Sequence, residues 1–270
     1  MDSLMHPPHF TTLCAGAVFI LQTATPEEKS SLSRKLAALW QEDQIPLGEA
    51  EPPLRPNRPD KPDLLMPKDM PKRRKAGTLA NKIALLHSLA HIELNAIDLC
   101  WDIIARFPGM PKAFYDDWVK VADDEARHFM LIQNRLLELE SEYGALPAHD
   151  GLWETAIDTK DDLLARLAIV PMVLEARGLD VTPGMAQTFR NVDDDKTADI
   201  IQIIHDDEIH HVKYGKAWFD YLCEKDGLEP ISTWQHLVLT YFKGKLKRPF
   251  NYTSRNLANF QAAFYDPISV

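Results

Sequence analysis

Two segments, Asp123-Asp124-Glu125-Ala126-Arg127-His128 and Asp206-Asp207-Glu208-Ile209-His210-His211, both read D-D-E-x-x-H. They limit the possible fold more than any other feature of the chain. On an α-helix a Glu and a His three positions apart lie about 60° apart around the axis and roughly 4.5 Å apart along it, so both reach one point. Val121, Ala122, Phe129, Ile132 and Leu136 fall on the face of the first pair, and Ile200, Ile204, Val212, Gly215 and Phe219 on that of the second. Both pairs point into apolar surroundings, where a carboxylate is costly unless it is paired, protonated or bound to metal. A single Glu and His at this spacing arise by chance; the same two aspartates preceding both copies do not.

Two more apolar helical segments each offer one carboxylate. Glu93 shares a face with Leu86, Leu89 and Ile97, and Glu175 with Leu164, Leu167 and Ala168. The interval from Glu93 to Glu125 is within one residue of that from Glu175 to Glu208, so the chain reads as two halves, each a helix with one inward Glu followed by a helix with Glu-x-x-His. This is the ligand scheme of di-iron and di-manganese carboxylate bundles. The expected metal ligands are Glu93, Glu125, His128, Glu175, Glu208 and His211, holding two ions; iron is the first expectation, with manganese or zinc as alternatives.

The remaining periodicity agrees with an all-α chain. Helices are expected over 26–41, with Thr25 as N-cap, then over 78–106 and over 111–143, ending at Gly144. A third long segment, 160–177, carries Gly178 as C-cap, and Thr182-Pro183-Gly184 opens a separate short piece. A fourth covers 194–225, closed by Gly227, and shorter helices follow near 231–243 and 253–264. Residues 46–71 hold eight prolines, which excludes helix and central strand. They form an extended arm, with Leu64, Leu65 and Met66 available for burial. The expected organisation is residues 1–75 as an N-terminal helix and proline-rich arm, and 76–270 as an antiparallel four-helix bundle with extra C-terminal helices.

A net charge of -10 disfavours a nucleic-acid partner, and the basic run from Lys68 to Lys75 is short and interrupted by proline. Cys14, Cys100 and Cys223 form no CxxC and suit a reducing cytoplasm. The apolar run Leu13 to Leu21 is too short for a membrane span and lacks the charged flank of a signal peptide.

The stretch from about 56 to 265 resembles a bacterial family of ferritin-like proteins of unknown function. The likeness rests on Leu86-His87, Ala90 to Leu99, Arg106-Phe107-Pro108-Gly109-Met110-Pro111, Leu174 to Gly184, and Pro249-Phe250-Asn251. It implies the ferritin-like fold and a metal site but names no reaction, and His210 stands where the family has a small residue. Asp124 and Asp207 are candidates to hold the outer nitrogens of the ligating imidazoles, while Asp123 and Asp206 read as solvated. His87, His91 and His205 read as hydrogen-bonded core residues, and Arg127 and Arg177 as salt-bridge partners. Tyr115, Tyr214, Trp101 and Trp118 read as core, and Asn81, His149 and Asp150 as loop or cap residues. The leading functional expectation is an O2-dependent di-iron oxidoreductase with a small-molecule substrate and an external electron donor, acting as a monomer or small homo-oligomer. The alternatives are iron handling, as a ferroxidase or buffer, and a metal that only staples the bundle.

Overall fold

The computed structural model of the chain describes residues 10–71 and 76–270. Residues 72–75, half of the basic run, lie outside the described residues. Among the described residues the structure is helical with no strand, and an isolated parallel bridge joins Leu64 to Ala148. The chain divides into two compact units. One takes the described residues up to Pro59 with Ala96–Arg127; the other takes Asp60–Asn95 with His128–Val270.

In the first unit the apolar run forms α1 (Leu13–Leu21), a helix without the expected amphipathic signal because nearly all its faces are apolar. Leu13, Ala17, Ile20 and Leu21 are fully buried, and the Thr12 hydroxyl accepts from the Ala15 amide at 3.1 Å. α2 (Pro26–Gln41) covers the expected residues, with Pro26 in its first turn, where a missing amide proton costs nothing. Its Lys29 is buried against Asp98 on α3 (Leu79–Arg106). Burial pulls the Lys29 ammonium below its ordinary pKa, and Asp98 opposes that pull. Arg58 reaches the same carboxylate at 2.7 Å, and Arg106 donates to the Pro53 carbonyl at 3.0 Å. The first part of the proline-rich arm is therefore tied down through the Pro53 carbonyl and Arg58; farther along, contrary to the expectation of no helix, Pro67–Asp69 forms a single 3-10 turn. Ser33 of α2 donates to the Ala122 carbonyl of α4 (Lys112–Glu138) at 3.0 Å and accepts from the Trp101 indole at 2.8 Å.

Both α3 and α4 run unbroken through the division between the units. α4 stops at Glu138, short of the expected Tyr143. Glu140 adopts a left-handed φ of 57°, and the Tyr143 amide donates instead to Gln133 Oε1 at 2.9 Å. Leu64, Leu65 and Met66 do not bury: they are 47, 36 and 60% exposed, and the backbone around Leu64 is held by the Ala148 bridge instead. The most apolar window of α3 has a mean hydropathy of 1.3, long enough to cross a membrane, but 72% of it is buried inside the protein, as in a core helix.

The second unit continues with α5 (Gly151–Asp158) and α6 (Leu163–Ile169), then a π-helical segment, Val170–Glu175, and α7 (Ala176–Arg190). The expected stop at Gly178 and restart at Thr182 do not occur, because the helical path is continuous from Leu163 to Arg190. Pro183 is accommodated in it: the carbonyl its missing amide leaves behind, that of Leu179, accepts from Asn251 Nδ2 at 3.2 Å. α8 (Asp195–Asp226) matches expectation, with the Asp194 carboxylate accepting from the Thr197 amide and Gly227 closing the helix at a φ of 67°. α9 (Pro230–Tyr241) follows. The expected last helix is split into α10 (Tyr252–Leu257) and α11 (Ala262–Tyr265) by Asn259, which is left-handed at a φ of 57°.

Candidate metal centre

All six expected ligands meet. Glu93 lies on α3, Glu125 and His128 one turn apart on α4, Glu208 and His211 one turn apart on α8, and Glu175 at the end of the π segment. They form two overlapping groups whose ligand atoms lie within 4.8 Å of one another: Glu93, Glu125, His128 and Glu208, then Glu175, Glu208 and His211. Glu208 belongs to both. Five of the six are buried; Glu175 is half-buried. Carboxylates this close in a core cannot all carry charge unless cations or protons offset them. A cluster of this composition can hold a metal ion.

The His128 imidazole is held between two carboxylates. His128 Nε2 lies 2.9 Å from Asp207 Oδ2, while Nδ1 lies 3.4 Å from Glu93 Oε2. An ionised carboxylate only accepts, so Nε2 is the donor to Asp207, and Nδ1 faces Glu93 within the cluster. His211 Nδ1 lies 3.8 Å from Glu208 Oε2, and the two imidazole centroids are 6.0 Å apart. Asp124 is buried and receives Lys120 at 2.6 Å and Arg127 at 3.2 Å.

Two features near Glu175 were not anticipated. The π segment widens the helix immediately before it, through i→i+5 bonding and a proline, Pro171. Pro171 then presses on Gly215 of α8 so closely that a Cβ there would come within 2.3 Å of the proline ring. Pro171 lies one turn before Glu175, and Gly215 one turn after His211, so this contact sits beside the ligand pair on both helices. A proline inside an otherwise helical pattern, four residues before a ligand, was the available sequence signal.

The other candidates fall outside the cluster. His87 Nε2 accepts from the Gly144 amide at 2.9 Å, and His91 bonds Tyr143 Oη and the His149 carbonyl, both at 2.9 Å. His205 sits between Thr182 Oγ1 at 2.8 Å and Ser254 Oγ at 3.1 Å. His210 and Asp206 are exposed, and Asp123 receives Arg34 at 3.1 Å. Tyr115 and Trp101 are buried with polar partners, and Trp118 is buried too; Tyr214 is half-buried. Arg177 donates to the Lys247 carbonyl at 2.9 Å, and Asp150 stands at the N-cap of α5.

The residues Leu174 to Gly184 and Pro249-Phe250-Asn251 also come together. Asp180, whose side chain is buried, accepts from the Asn251 amide at 2.9 Å and from the Arg255 guanidinium at 2.7 Å. The family described as "Protein of unknown function (DUF455)" matches residues 22–266, nearly the whole chain. The chain belongs to this family. An uncharacterized protein of Haemophilus influenzae is 40% identical to it over 241 residues, 83% of each chain. The matched span includes both D-D-E-x-x-H segments, their partner glutamates and the Asp180–Asn251 contact. No solved structure matches the chain.

Proposed function

We propose that the chain is a ferritin-like protein in which α3, α4, the α6–α7 run and α8 act as an antiparallel four-helix bundle around a dinuclear metal centre, iron first, that serves O2-dependent oxidation of a small organic substrate. The observation that carries this reading is Glu208, shared between two ligand groups. A carboxylate common to two groups would let Glu208 serve two neighbouring ions. Carboxylates with neutral imidazoles suit iron or manganese and admit zinc. A pair of ferrous ions bound there supplies electrons for O2 reduction.

The chain's own residues do the rest. Glu93, Glu125, Glu175 and Glu208 offset the cations, and His128 and His211 each add a neutral ligand. Asp207 keeps the His128 proton on Nε2. Phe129, Ile132, Ile204 and Phe219, all buried on the same helix faces, exclude water. The test is O2 uptake by anaerobically reduced, iron-loaded protein. Uptake faster than by free ferrous ion, slowed by His128→Ala and His211→Ala, supports the reading. Glu138→Ala, at an exposed ion pair with Lys196, serves as control. A di-ferrous protein inert to air for hours would remove the oxidase assignment.

A further inference from the structure

The two ligand groups are unequal, although the sequence repeat suggests two matching halves. The first contributes four residues, all buried. The second contributes three, and Glu175 is the least buried of the six. Glu175 also differs in its backbone. The other five ligands sit on regular α-helix, whereas Glu175 ends a π segment in which Pro171 supplies no amide. That turn is held against α8 by the Pro171–Gly215 contact, where neither a proline ring nor a glycine backbone can yield to an added Cβ.

We infer that the centre loads in order: the position at Glu93, Glu125, His128 and Glu208 fills first and holds its ion tightly, and the position at Glu175, Glu208 and His211 fills second, exchanges its ion and is where small anionic ligands enter. The inference rests on the proposed dinuclear centre. The second position gathers three candidate residues against four at the first, and fewer protein donors favour exchange and entry of an exogenous ligand. Glu175, the least buried of the six residues although its Oε2 is itself buried, places that opening on its own side. Gly215 is a positioning residue in this account: it touches no metal but sets how closely the π segment approaches His211.

Titrating metal-free full-length protein with Co2+, followed by visible absorption and calorimetry, tests it. Two steps are expected, the second weaker by about tenfold or more, the scale on which even an outer partner changes metal affinity. Glu175→Gln should weaken the second step and leave the first in place; His128→Ala should do the reverse. Gly215→Ala should act like Glu175→Gln with all six ligands present. Azide should perturb the absorption only after the first equivalent is bound. Two indistinguishable steps, or a Glu175→Gln effect confined to the first, would overturn the inference while leaving the dinuclear centre standing. Absence of any bound Co2+ would instead remove the centre itself. Should Gly215→Ala fail to fold, Glu175→Gln and azide still decide.

Discussion

The Asp207 carboxylate accepts the Nε2 proton of His128 at 2.9 Å. The second aspartate of one D-D-E-x-x-H copy therefore orients the imidazole of the other. This gives a reason for Asp207 in particular, which acts across the helix pair, whereas Asp124 takes Lys120 and Arg127 of its own helix. Asp207→Ala frees the imidazole to turn and to change tautomer. Metal affinity should fall by about 10- to 100-fold, measured by competition with a chelator, with little change in the helical circular dichroism.

Asp180 and Arg255 form a buried pair that joins α7 to α10. Asp180→Ala leaves the guanidinium buried without its carboxylate, and it also removes the acceptor of the Asn251 amide. The expected loss is about 3–5 kcal/mol, read from denaturant midpoints. Arg255→Met, which removes the charge and keeps much of the volume, should cost less.

How much of this the sequence carries depends on the element. The helical segments that carry the six candidate residues, and the convergence of those residues, were legible, because burying a carboxylate or an imidazole demands a partner and helical spacing says which side chains converge. The repeat also hid something. Equal spacing suggested equal halves, whereas the π segment, the half-burial of Glu175 and the unequal groups of four and three residues distinguish them. Gly178 and Pro183 looked like helix ends since neither favours a helix interior, but the Asn251 side chain meets the freed Leu179 carbonyl from a point 72 residues away. Contacts that remote leave no trace in local pattern. α1 was missed for a different reason: with nearly all faces buried it lacks the polar stripe that marks a surface helix.

His205 supplies a pH dependence. Burial holds its imidazole below the ordinary 6.5, with Asp206 pulling weakly the other way. Thr182 donates its hydroxyl proton to the Gly178 carbonyl at 2.8 Å, so it accepts from His205 Nδ1, which leaves Nε2 to accept from Ser254. A lowered folded pKa means that the unfolded chain takes up the proton first as pH falls. The stability due to this group is present above 6.5 and is lost below it. The NMR titration of His205 should have its midpoint under 6.5, and the gap in denaturant midpoint between native protein and His205→Gln should narrow in acid.

The cysteines should be chemically silent. All three are buried thiols, and desolvation pushes both Cys14 and Cys223 up to about 11. At neutral pH neither forms the thiolate that reacts. A thiol-specific chromogenic reagent should label almost none of the native protein and all three cysteines once it is unfolded; rapid labelling of the native state would show that this packing opens.

Removing metal should lower the melting temperature, since ions that bind only the folded state stabilise it by mass action. Metal-free protein would also keep its clustered carboxylates without offsetting cations, so the drop should grow as pH rises from about 6 to about 8. A melting curve indifferent to chelation would contradict this.

The most direct measurement is the metal itself: crystals of protein grown in iron-supplemented medium, with anomalous scattering collected across the iron, manganese and zinc edges. The account predicts two transition-metal peaks per chain, both in contact with Glu208, one beside His128 and one beside His211. No peak at this cluster after reconstitution, or a single ion bound away from Glu208, would contradict it.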